Sequence, residues 1–203
     1  MKYRLLLCAL IVSLYTSAQN PLSLYDAQWD DVKYNTCNTA KDDLYMTQRE
    51  RDVIWVLNCM RTSPNLFRNT VIKQYDFPKR WKTVRNTIEY KNLIPYMQTV
   101  QPLGLIYPDA IAYNSALVHA FASYNKFGHD RVTKEDIQGM SYLCEVISYD
   151  SYEAVDIIMD FLIDIGNPKY GHRLAITSPN YTQAGVSIQK HNLGYYICVI
   201  NFK

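Results

Sequence analysis

Beyond its first 18 residues the chain carries no basic run, no internal repeat, no low-complexity tract and no second hydrophobic block behind a linker. Without a basic run there is no electrostatic footprint for nucleic acid, so no nucleic-acid partner is expected. Without a second block or a linker the chain reads as one domain, and 203 residues at 48% hydrophobic content can bury a sizeable core. Cysteine is scarce: five in all, one of them in the N-terminal segment. That rules out a dense disulfide scaffold and leaves Cys37, Cys59, Cys144 and Cys198.

The N-terminal segment differs from the rest. "MKYRLLLCALIVSLYTSAQ" has two cations, an apolar stretch from Leu5 to Leu14, and the small residues Ser17 and Ala18 before Gln19. This is the pattern of a secretory signal peptide, residues 1–18, too short for a membrane span and without a stop-transfer flank. Cleavage after Ala18 removes Lys2 and Arg4 and takes the net charge from +2 to zero. The mature chain is therefore expected outside the cytoplasm, secreted or periplasmic, with no transmembrane segment. There the four cysteines suggest two disulfides, and their positions favour Cys37 with Cys59 and Cys144 with Cys198. Free buried thiols are the competing arrangement.

Residues 19–46 are polar and aromatic without period and read as an ordered extension or a tether. The first helix opens at "TQRERDVIWVLNCMR", where Thr47 and Glu50 form a capping box and Val53, Ile54, Leu57 and Met60 share one face. Pro64 ends it. A polar and aromatic stretch follows, with one helix over 87–97. The next helix begins after Pro108, capped by Asp109, with Ala110, Tyr113, Leu117, Phe121 and Tyr124 on the side expected to face the core, and stops at Gly128. A further helix runs over 151–165 with Val155, Ile158, Met159 and Leu162 as its stripe and Gly166 at its end. "YLCEVIS", "AGVSIQK" and "YYICVINF" read as strands, the last two as a hairpin across "HNLG". Helices covering a small, mainly antiparallel sheet make this an α+β protein.

Three polar residues stand out on that frame. His129 follows the second major helix in "FGHDR", His172 follows the third in "GHR", and Glu145 interrupts an apolar strand, where a carboxylate is costly unless paired or bound. Two imidazoles and a carboxylate are a usable ligand set for a divalent metal. The plainer alternative puts Glu145 at a strand end in solvent and the histidines at helix C-termini, where the dipole favours them. His119, mid-helix, reads as structural and His191, in the hairpin turn, as solvent-facing. Cys144 beside Glu145 reads as a disulfide partner or inert thiol rather than a nucleophile.

The order of motifs resembles the CAP superfamily, named for cysteine-rich secretory proteins, antigen five and plant pathogenesis-related proteins, and within it the bacterial, SCP-like branch. "VLNCMRTSPNLF" is similar to the family's opening helix, with Asn58, Arg61 and Pro64 at the matching places. "PLGLIYPDAIAYNSALVHAFASYNKFGHDR" resembles the helix leading to the first cavity histidine, here His129. "LCEVIS" stands where the family has Gly-Glu-Asn, and "GNPKYGHRLAITSPNYTQAGVSI" is similar to its Gly-His-Arg and Gly-Val run, with His172 as the second histidine.

The resemblance implies a CAP domain over 47–203 and a three-layer α-β-α sandwich whose cleft gathers His129, Glu145 and His172, able to hold zinc or another divalent cation. It also implies that the change of Gly-Glu-Asn to Cys144, Glu145 and Val146 removes the asparagine's hydrogen bonds. The counterpart of a second cavity acid is Asp164, expected at the helix end in solvent, with the cleft as the other place. Two functions follow from the resemblance: a non-catalytic extracellular binding module for a lipid, glycan or protein, or a metal-dependent hydrolase acting on peptides or esters. The 18 tyrosines suggest an interaction surface, or loops packed on the core.

Overall fold

Alternation along the last two strands sets the architecture. The computed structural model describes residues 19–78, 82–129 and 142–203; the expected signal peptide lies outside them. β3 (Gln183–Lys190) and β4 (Tyr196–Phe202) form the expected hairpin, with Gly194 at φ +85° in its turn. β2 (Cys144–Tyr149) pairs antiparallel with β4, and the two-residue β1 (Tyr107–Pro108) adds parallel to β3. The sheet order is β1-β3-β4-β2, so β2 is an outer edge. The sheet is mixed, antiparallel in two of its three pairings.

Both faces are covered, which makes three layers. On one face Ile147, Ile197 and Val199 pack with Ala116 and Ala120 of α4 (Ala110–Ala122). On the other, Val146, Cys198, Ile200 and Phe202 join the main core with α1 (Gln48–Thr62) and α5 (Ala154–Ile163). The remaining helices are α2 (Pro64–Phe67), α3 (Ile88–Thr99) and α6 (Gly171–Ile176).

The capping box of α1 is present: Thr47 N donates to Glu50 Oε2 at 2.7 Å, and Glu50 N to Thr47 Oγ1 at 3.4 Å. Glu50 is fully buried because its other oxygen accepts from Ile188 N of β3 at 2.8 Å, which ties α1 to the sheet. The motif residues further along α1 are also structural. Asn58 brackets Ile106, taking its N–H at 2.7 Å and donating to its carbonyl at 2.9 Å. Arg61, 1% exposed, donates to the carbonyls of Gly104, Ile176, Ser178 and Tyr181 at 2.8–3.2 Å, and burial draws it down to about 10. Pro64 ends α1 and starts α2 at once, where its missing N–H costs nothing.

Several expectations are corrected. The face of α4 that meets the sheet is Ala112, Ser115, Ala116, His119 and Ala120, while Phe121 and Tyr124 are exposed. The cause is close approach: a Cβ on Gly185 of β3 would lie 1.9 Å from Tyr113 N, so the helix meets the sheet mainly through small side chains. The helix ends at Ala122, before Gly128. α5 ends on Asp164 in the left-handed conformation (φ 58°), two residues ahead of Gly166. His191 is 3% exposed and stacked on Tyr195 at 4.5 Å, so it does not face solvent. Cys144 and Cys198 do not pair: the β2–β4 register sets Cys198 opposite Ser148 and Cys144 opposite Phe202, roughly 13 Å along the strand.

The extension over 19–46 is integral to the core. Leu22, Trp29, Tyr34 and Ala40 are buried in it, Trp29 Nε1 donates to Thr70 Oγ1 at 3.0 Å, and Trp55 Nε1 donates to Tyr34 O at 3.2 Å. Tyr75, Phe77 and Tyr90 are buried too, so these aromatics between the first two major helices serve the core.

Candidate functional site

Strand alternation sends Glu145, Ile147 and Tyr149 of β2 toward the α4 layer. Glu145 lies directly opposite Asn201, and one turn of α4 supplies Ser115 and His119 to the same patch. The His119 Nδ1–Glu145 Oε2 distance is 2.8 Å, with His119 1% exposed. The Asn201 amide, turned so that its oxygen accepts from Ala116 N at 3.1 Å, donates to Glu145 Oε2 at 3.0 Å. A buried carboxylate held by an imidazole and an amide is stabilised without a lost asparagine neighbour. The partners of Glu145 Oε2 come from α4 and β4.

The other carboxylate oxygen, Oε1, is 3.1 Å from His129 Nδ1. His129 is placed by its neighbours. Gly128 at φ +99° lets its N–H donate to the Tyr149 hydroxyl at 2.7 Å, a backbone shape that favours glycine. Phe127 packs on Tyr149 and His191 with ring centroids 4.9 and 5.1 Å apart. His129 itself is more than half exposed.

His172 comes from the opposite helical layer. The left-handed turns at Asp164 and Tyr170 fold the chain back so that α6 starts over the end of α5. Asp164 Oδ1 accepts from His172 Nδ1 at 2.8 Å, and Oδ2 from the backbone N–H groups of His172 (2.9 Å) and Arg173 (3.3 Å). Asp164 is 2% exposed, so its expected place in solvent is corrected. Arg173 caps the carbonyls of Leu162 and Ile163 at the end of α5, at 2.5 and 2.9 Å, and reaches Glu89 O at 3.0 Å. The Gly-His-Arg run thus divides its work: Arg173 docks α6 on α5 and His172 rides on that dock.

The two imidazoles meet at the β2 edge, their centroids 6.3 Å apart. They line a cleft of about 610 Å³ with Thr83, Val84, Thr87, Ile147, Tyr149, Ile165, Asp160 and Asp164. Asp160 accepts from Ser148 Oγ at 2.6 Å, and burial pushes its carboxyl up to about 6. The sequence points to neither Asn201 nor Asp160 and gives His119 a structural role only. For Asp160 a signal existed: it sits in "IIMDFLIDI", one helical turn before Asp164. His119 and Asn201 are pinned by tertiary pairing and left none.

The structure therefore brings His129, Glu145, His172 and Asp164 to one region as two carboxylate–imidazole pairs. In each pair the carboxylate sits on Nδ1, which favours the tautomer with the lone pair on Nε2. Among the described residues no group of three or more His, Cys, Asp or Glu is disposed to hold a metal ion. Cys144 is not activated; burial raises its thiol.

The profile of CAP, the cysteine-rich secretory protein family, matches residues 100–202, from the end of α3 through β4. The chain belongs to this family. The match spans His129, Glu145, Asp164 and His172, so these cleft residues lie within the CAP region, while Thr83, Val84 and Thr87 of the lining precede it. No curated protein and no solved structure matches the chain. Among the described residues no helix is long and apolar enough to cross a membrane.

Proposed function

We propose that this CAP protein is a secreted binding module of the bacterial, SCP-like type, whose cleft takes a small ligand alongside a divalent cation held by His129, Glu145 and His172. The observation that carries this reading is the pair of carboxylate-backed imidazoles facing each other over the edge of β2. Neutral imidazoles with Nδ1 engaged are the form that binds zinc, and carboxylates behind them are the usual support. Two imidazoles on one ion, with bonds of about 2 Å, have ring centres about 5–6 Å apart, so the 6.3 Å found here needs a small approach. His129 and His172 supply the nitrogen donors, Glu145 backs the His129 ring from its Nδ1 side, and water completes the set. A bound cation would act as a Lewis acid at the cleft mouth. Val84, Ile147 and Ile165 give the ligand an apolar flank, and Thr83 and Thr87 give hydroxyl contacts. A lipid, glycan or peptide headgroup meets these terms.

Zinc titration by calorimetry tests the cation. Replacing His129 and His172 together by alanine should abolish uptake while far-UV circular dichroism stays unchanged; uptake equal to the wild type removes the metal from the reading. Incubating the protein with peptide, ester and glycan substrates, with and without chelator, tests the module. Saturable binding without turnover supports it, whereas turnover lost on chelation replaces it with a metal-dependent hydrolase.

A further inference from the structure

The alanines of α4 face the sheet, which leaves Phe121 and Tyr124 outside, 61% and 50% exposed, and there they wall a second cavity. It holds about 580 Å³ and shares no lining residue with the cleft. β3 contributes Ile188, Gln189 and Lys190, β4 contributes Tyr196 opposite Lys190, and the first turn of α1 contributes Arg49. Tyr152, just ahead of α5, completes the wall. Two features set its chemistry. The first is a stack: Tyr152 lies on Tyr196 with ring centroids 3.9 Å apart and 20° between planes, and the Arg49 guanidinium carbon is 3.9 Å from the Tyr152 centroid. The second is charge. Among the described residues the lining carries two cations, Arg49 and Lys190, and no carboxylate, whereas Asp160 and Asp164 line the cleft. Lys190 is exposed and has no side-chain partner among the described residues. Arg49 has the exposed Glu153 at 3.3 Å, a pair that an incoming anion can replace at little cost.

We propose that this cavity is a second binding site, for a small aromatic carboxylate whose ring packs among Phe121, Tyr124 and Tyr196 while its carboxylate pairs with Arg49 and Lys190. A flat ring meets aromatic side chains, and a negative charge meets two cations with no competing acid in the lining. Other ligand classes fit less well. Thr47 Oγ1 is engaged with Glu50, the Gln48 amide with Asp52 and Arg51, and the Gln189 amide with Ser187, so these groups are not free to hold the hydroxyls of a sugar. An alkyl chain would find one aliphatic side chain, Ile188, among the described lining residues. The volume is that of a small-molecule site, with a mostly aromatic wall and a few charged groups to fix orientation. Arg49 is already placed over Tyr152, so little of its rotamer freedom remains to be lost on binding. The proposal does not rest on the metal reading of the cleft, because the two cavities use different residues.

Calorimetric titration of the mature protein with indole-3-acetate at neutral pH tests this. Saturable binding is expected, unchanged by chelator because no metal takes part. Indole-3-acetamide keeps the ring and loses the charge, and should bind more weakly by about tenfold or more. Cyclohexylacetate keeps the charge and loses the aromatic ring, and should bind more weakly by roughly threefold or more. The R49Q/K190Q variant should lower indole-3-acetate to the level of the amide while zinc uptake stays as in the wild type. K190Q alone, at an exposed side chain, should weaken binding severalfold, so a folding defect at Arg49 does not decide the outcome. F121A/Y124A, also at exposed positions, should lose roughly threefold or more. Three results overturn the proposal. One is the absence of saturable binding. Another is octanoate binding as tightly as indole-3-acetate, which would make the cavity an alkyl-chain site. The last is wild-type binding by R49Q/K190Q with none by H129A/H172A, which would put the ligand in the cleft.

Discussion

The Glu145→Gln substitution separates the two parts Glu145 plays. The side chain is 6% exposed, with Oε2 2.8 Å from His119 Nδ1 and Oε1 3.1 Å from His129 Nδ1. Glutamine keeps one acceptor oxygen and puts an N–H₂ where the other was, so one imidazole N–H, or the Asn201 amide, now faces a donor. Opposing donors in a buried patch cost about 1–3 kcal/mol, which lowers Tm by roughly 3–10 °C in a chain of this size. If the amide turns toward His129, that ring loses the partner that holds its tautomer, and loss of such a partner weakens metal binding by about 10–100-fold. That factor corresponds to about 1.4–2.8 kcal/mol of binding free energy. Scanning calorimetry reads the first effect and zinc titration at neutral pH the second. A lowered Tm with zinc affinity within about twofold of wild type would refute the metal role and leave Glu145 as part of a structural polar patch.

Two further predictions follow from packing and from ionisation. Gly185→Ala would push a methyl group to 1.9 Å from Tyr113 N and 2.3 Å from Ala112 C, both backbone atoms that cannot yield cheaply; urea denaturation should show a loss of about 3 kcal/mol or more, and a wild-type midpoint would refute the close approach of α4. Asp160, raised by burial from 3.8 to about 6, releases its proton less readily folded than unfolded, so its contribution to stability is full below 3.8 and declines as pH rises to about 6. Asp160→Asn keeps an acceptor for Ser148, should remove that slope, and should stabilise the protein by about 1–3 kcal/mol at pH 7; an unchanged pH profile would refute the assignment.

Much of the scaffold was legible because its signals are local. Thr47 with Glu50 at the start of α1, Asp109 capping α4, and the alternation of "AGVSIQK" and "YYICVINF" each act within a few residues, and each element stands where those signals put it. The sidedness of α4 was not legible. Hydrophobicity selects Phe121 and Tyr124 for the interior, whereas the close approach at Gly185, 64 positions on from Phe121, favours the face with the alanines and Ser115. The parallel strand β1 was equally hidden, since two residues carry no period.

By itself the sequence determined the element types, the α+β class and the residue kinds at the cleft: two histidines at helix ends and an acid inside an apolar strand. Tertiary structure alone decided what those residues do to each other. His119 reaches Glu145 from 26 residues away and His129 from 16, while Asp164 turns inward because a left-handed residue reverses the chain over α5. Propensity and periodicity act along neighbouring residues, but a buried carboxylate is satisfied by whichever donors the packed layers bring within about 3 Å, and those are known only once the layers have met.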